Sequence, residues 1–130
     1  MPIVEITARD INRSKVVTPA WYRVRIEGVG EAPSKAGDFT NYTIDGTILF
    51  NAEDKTTTFV DVPTPYWNFN TKAKGFMVPF FEALGGTVEP GSRFDFNNAI
   101  GKEIDVFIEN KDFEGRMVNN LNHKYRAPRA

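Results

Sequence analysis

The strongest folding constraint in this chain lies in its last third, from Ile100 to Tyr125. Ile104, Val106 and Ile108 alternate with Glu103, Asp105 and Phe107, the period-two pattern of a strand with one buried face. The connection Asn110-Lys-Asp-Phe-Glu-Gly115 is polar and ends on glycine, and a second strand follows it. The pair reads as a β-hairpin that closes a small domain. Its return strand carries Asn119, Asn120 and Asn122 and leaves through a basic exit, Lys124, Arg126 and Arg129. An Asn-rich, basic hairpin suits a binding surface better than a catalytic centre.

The same alternation recurs upstream. From Trp21, the residues Tyr22, Val24 and Ile26 fall on one face, and Trp21, Arg23, Arg25 and Glu27 on the other. Gly28 to Gly37 reads as a loop by composition. A second strand spans Phe39 to Phe50, with Tyr42, Ile44, Ile48 and Phe50 on one face and Gly46 marking a bulge or sharp bend. Asn51 to Lys55 reads as a turn, and Thr56 to Val62 as a third strand stopped by Pro63-Thr-Pro65. Between Thr71 and Gly85 the period changes: Phe76, Phe80, Ala83 and Leu84 fit a short helix, with Pro79 in its first turn and Gly85-Gly86 as its stop. Residues 1–20 form an N-terminal arm in which Ile3 to Ile6 is expected to add a short strand; residues 21–130 form the domain.

The resulting order is three strands, a short helix and two strands. It predicts a mostly β domain, a five-stranded Greek-key barrel of the oligonucleotide-binding (OB) type with one short helix between strands three and four. Closure removes sheet edges, and the helix plugs one end of the core. An SH3-like barrel or a curved α+β sheet would also accept this order.

Composition narrows function more than fold. The net charge is −1 and the isoelectric point about 5.8, which argues against a partner chosen by bulk charge, such as duplex DNA or an anionic membrane. Charge is nevertheless uneven, since Lys111, Arg116, Lys124, Arg126 and Arg129 crowd the last segment against Asp112 and Glu114. With no cysteine, thiolate zinc sites and cysteine nucleophiles are ruled out. No signal-peptide pattern opens the chain and no apolar run approaches a membrane span, so a soluble cytoplasmic protein is expected. Asp38, Asp45, Asp61, Asp95 and Asp105 lack metal-ligand spacing, His123 has no second histidine, and no Walker loop or nucleophile elbow is present. The expectation is a non-enzyme needing neither cofactor nor metal.

Several short motifs then acquire a common meaning through their order. Lys35-Ala-Gly37 precedes a long strand, Phe80-Phe-Glu-Ala-Leu-Gly-Gly86 ends a helix, Ile100-Gly-Lys102 opens a strand, and Gly115, Asn119-Asn120 and Tyr125-Arg-Ala-Pro128 close the chain. From Trp21 onward this resembles the small single-stranded-DNA-binding OB proteins of bacteriophages. The resemblance implies low-specificity binding to single-stranded DNA, protection of exposed strands in replication or recombination, and contacts with replication or recombination proteins; because one small barrel offers only a short track, a homodimer or cooperative assembly is expected. The chain departs from many single-strand binders in ending on Arg126-Ala-Pro-Arg-Ala130 rather than an acidic tail.

Single-strand binding needs cations that track phosphates and aromatic faces on which bases stack. Trp21, Arg23 and Arg25 offer both on the outer face of the first strand, and Phe107 offers a second ring. Phe59 and Trp67 are further stacking candidates, although at least one ring of the Tyr66-Trp67-Asn68-Phe69 cluster belongs in the core. Lys35 in the first loop is a backbone clamp, and Arg116, Asn120, Asn122 and Lys124 share one side of the last strand with groups suited to phosphates and base edges. A solvated polar face, or docking onto a protein or RNA, is the competing reading for the same residues.

Overall fold

The structure, a computed structural model, describes residues 2–128. A short helix α1 (Ala8–Arg13) precedes strands β1 (Ala20–Pro33), β2 (Thr40–Asn51), β3 (Thr58–Pro63) and β4 (Asn68–Asn70). A 3-10 turn (Thr71–Phe76) leads into α2 (Met77–Ala83), a second 3-10 turn spans Phe96–Ala99, and β5 (Glu103–Phe113) and β6 (Arg116–Arg126) form the closing hairpin. All strand pairs are antiparallel, in the order β3-β2-β1-β5-β6, with β4 on β2 beside β3.

The alternation read from the sequence sets the core. Ile104, Val106 and Ile108 from β5 and Val24 and Ile26 from β1 are fully buried, with Tyr22 beside them. Ile44 and Ile48 of β2, Val62, Trp67 and Phe69 complete the sheet's inner face. Helix α2 lies on that face through Met77, Phe80 and Phe81. Phe80 meets Trp67, Phe69 and Tyr125 at ring separations of 5.6, 4.9 and 5.5 Å. Pro79 does sit in the first turn of α2, where its missing N–H costs no helical bond.

The expected five-stranded closed barrel is corrected to a six-stranded open sheet. No ladder joins β3 to β6 among the described residues. β3 is cut short by Pro63 and Pro65, and β6 carries an irregular bulge with His123 at φ 52°. Side chains cross the gap instead: the Trp67 indole donates to the Tyr125 hydroxyl at 2.8 Å, with the rings stacked 5.8 Å apart.

Three local expectations are also revised. Gly28 to Pro33 is strand, because β2 supplies a partner for each of these residues, from Gly28 opposite Asp45 to Pro33 opposite Thr40. Phe50 leaves the face of Ile44 and Ile48 because Leu49 is an extra residue between Val24–Ile48 and Arg23–Phe50, which turns Phe50 outward under Arg23. Ile3 to Ile6 stays outside the sheet. The arm instead contains α1, whose Thr7 accepts from the Asp10 amide while Asp10 accepts from the Thr7 amide, a reciprocal cap. The irregularity expected at Gly46 falls on the facing strand instead, where Glu27 is the extra residue between Ile26–Gly46 and Gly28–Asp45.

Candidate nucleic-acid interface

Antiparallel pairing of β1 with β5 places Trp21 opposite Phe107, Arg23 opposite Asp105 and Arg25 opposite Glu103 on the outer face of the sheet. The Trp21 and Phe107 rings meet edge to face at 5.6 Å. On β6, Leu121 is opposite Ile108 and Tyr125 opposite Val106, so Asn122, His123 and Lys124 together face the single residue Phe107. That bulge brings Lys124 over the Phe107 ring at 5.4 Å and Asn122 to Glu109 at 3.5 Å. Arg126 follows, with its guanidinium 4.3 Å from the Trp21 ring centre. The result is a ladder of alternating cations and rings across three strands.

Acids hold the ladder in place. Asp105 is wholly buried, although alternation points it outward, because two guanidiniums cover it. Arg23 donates from Nε at 2.6 Å and Arg126 from Nε at 3.4 Å. Arg126 also reaches Glu53 at 2.8 Å, Arg23 reaches Glu103 at 3.8 Å, and Lys124 lies 3.8 Å from Glu109. The Asp105 pair is a desolvated charge cluster and serves as framework; the Glu53 and Glu109 pairs are solvent-exposed and weak, of order 0–1 kcal/mol. A phosphate could therefore replace Glu53 or Glu109 as the partner of Arg126 or Lys124 while Asp105 keeps its place.

The structure thus gathers Trp21, Arg23, Phe107, Asn122 and Lys124 on one face. It scatters the other expected residues. Arg25 shares the outer face of β1 but lies away from the rings, where it bonds Glu27 at 2.8 Å and lines a cleft with Arg9 and Arg13. Lys35 sits in the turn at the far end of β1. Arg116 is at the tip of the β5–β6 hairpin, opposite Phe113. Asn120 is opposite Glu109 and opens into a separate cleft. Phe59 is corrected to a core-fringe residue: it packs on Tyr22 at 5.7 Å with Lys15 above it. Trp67 is corrected to a core residue, 1% exposed, with no free ring face for a base. Arg129 of the basic exit lies outside the described residues.

Arg126, Asp105 and Phe50 belong to the ladder but were not singled out from the sequence. Their roles depend on cross-strand register and on two bulges, neither of which has a local signal. Asn119 has a different task from its neighbours: it accepts from the Val17 amide at 2.9 Å and donates to the Lys15 carbonyl at 3.0 Å, fastening the N-terminal arm to β6. His123, held by the bulge, points to the inner side, 5.0 Å from Phe69 and 5.2 Å from Phe76, and burial lowers its pKa. No helix among the described residues is long and apolar enough to cross a membrane, and no three His, Cys, Asp or Glu side chains among them gather as a metal site would require. Neither a protein-family model nor a curated protein sequence matches this chain.

Proposed function

We propose that this protein binds single-stranded DNA with little sequence preference, using the outer face of β1, β5 and β6, and shields strands exposed during phage-type replication or recombination. The observation that carries the reading is the Trp21–Phe107 pair flanked by Arg126 and Lys124, rings and cations within 4.3–5.6 Å of one another. Base stacking on such rings contributes roughly 1–3 kcal/mol per base and tolerates any sequence. Strand connectivity supports it: β1 pairs with both β2 and β5, and α2 intervenes before the final hairpin, as the OB reading requires, although the sheet is open between β3 and β6.

A second reading, docking onto a replication or recombination protein, is favoured by one observation. The three cations of the ladder already face Asp105, Glu53, Glu103 and Glu109, which leaves little uncompensated positive charge. Fluorescence anisotropy of labelled oligo-dT at two salt concentrations, with oligo-U and duplex DNA alongside, separates the two. Preference for oligo-dT that weakens with salt supports the first reading; preference for oligo-U moves the partner to RNA. No binding to either single strand at low salt, by folded protein, leaves the docking module.

A further inference from the structure

A cleft of about 290 Å³ lies between the β3–β4 connection and the β5–β6 hairpin. Its most exposed rings are Tyr66, 81% exposed, and Phe113, 54% exposed. Its polar lining comprises Lys111, Asn68, Asn119, Asn120 and His123, and no carboxylate lines it. That separates it from the ladder and from the Arg9–Arg13–Arg25 cleft, where Glu27, Asp45 and Asp61 balance the arginines. Asn68, Asn119 and His123 are engaged with Asn41, the N-terminal arm and Tyr125, which leaves Lys111 and Asn120 as the cleft's uncommitted donors. Among the described residues Lys111 makes no ion pair, and the Asn120 amide makes no side-chain hydrogen bond.

We propose that this cleft is a second nucleobase site: an unpaired base stacks against Tyr66 and Phe113, Asn120 reaches its edge, and Lys111 meets the adjoining phosphate. The inference rests on the single-strand reading and extends it to a second contact point. The volume suits a ligand of base size, at the small end of organic-ligand pockets. Aromatic faces beside an amide and an ammonium with no carboxylate partner match a nucleotide, whose base offers a π-face and whose phosphate offers a full negative charge. Phe107 and Phe113 are six residues apart on β5, or about 20 Å along an extended strand. Asn120, opposite Glu109, lies between the two ring clusters, so one single strand can engage both.

The test is oligo-dT binding by the whole chain and by Y66A/F113A, Y66F and K111Q, together with photo-crosslinking of oligo-dT carrying iododeoxyuridine. Tyr66 and Phe113 are exposed, so the variants keep the core intact. The expected results are a loss of about fivefold or more in affinity for Y66A/F113A, near-normal binding by Y66F, and a salt slope reduced by about 0.7 for K111Q. Crosslinks are expected on Tyr66 or Phe113. If the natural chain binds oligo-dT and Y66A/F113A binds equally well, with crosslinks only around Trp21 and Phe107, the cleft is rejected and the single-strand reading stands. If the natural chain binds no single strand, both fall together.

Discussion

The Trp67 indole N–H donates to the Tyr125 hydroxyl across the gap that no strand ladder closes. Since an indole can only donate, Tyr125 accepts there, and the same hydroxyl forms a second bond with His123 Nδ1, 2.7 Å away, in a direction set by the imidazole tautomer. One hydroxyl therefore serves two neighbours, and one of them, Trp67, is 1% exposed. Tyr125→Phe keeps the ring stack and removes both bonds, leaving a buried donor unsatisfied. The expected loss is about 1–3 kcal/mol in urea denaturation. A double-mutant cycle with Trp67→Phe should show coupling; independent effects of the two substitutions would mean that the bond adds nothing to closure.

His123 gives stability a specific pH dependence. Burial holds its folded-state pKa below the ordinary value of 6.5, so the unfolded chain takes up the proton first as pH falls. The neutral ring's contribution is complete above about pH 6.5 and declines as the solution is acidified towards the lower folded pKa. Protonation would also make Nδ1 a donor opposite Tyr125 whichever tautomer the neutral ring holds. Tm should fall as the pH drops below about 6.5, before most carboxylates titrate. His123→Asn, which suits the positive φ, should flatten that slope. An unchanged slope in the variant would place the pH response elsewhere.

Asp105 is the framework of the cation ladder. Replacing it with alanine leaves the Arg23 and Arg126 guanidiniums, 11% and 17% exposed, facing each other without their shared acid. Breaking a buried pair from one side costs about 3–5 kcal/mol. Arg25→Ala removes only an exposed pair with Glu27 and should change stability by less than about 1 kcal/mol. Equal effects of Asp105→Ala and Arg25→Ala in chemical denaturation would remove Asp105 from this role.

What could be read in the sequence was whatever is local and periodic. Ile104, Val106 and Ile108 declared their burial by alternation, and the stop at Gly85-Gly86 declared the end of α2, where Gly85 takes φ +94°. Gly28 to Pro33 misled because Gly and Pro carry a loop signal, whereas the strand exists through its pairing with β2. Phe50 and Phe59 misled for a related reason: bulges and edge positions change which face a residue occupies, and their cause lies on the neighbouring strand. The ladder was therefore half visible. Trp21, Arg23, Phe107 and Lys124 came from alternation, while Arg126 and Asp105 required the register. Helix α1 was hidden because it buries no side chain and so has no apolar period; its signal was the Thr7–Asp10 cap.

Under the proposed single-strand reading, the two tryptophans would report separately on binding. Trp21 lies on the ladder, partly exposed, with Phe107 at its edge and Arg126 over its face, whereas Trp67 is sealed in the core. A base that stacks on the outer face must displace Arg126 or slide beside it, and in either case it perturbs the Trp21 indole. Oligo-dT should therefore quench emission in the natural chain and in Trp67→Phe. In Trp21→Phe the remaining emission should be insensitive to the oligonucleotide, and affinity should fall only modestly because phenylalanine retains a stacking face; Trp21→Ala should lose roughly 1–3 kcal/mol of binding. Quenching that survives in Trp21→Phe would show that the strand passes closer to Trp67 than to the ladder, and would move the site to the opposite side of the hairpin.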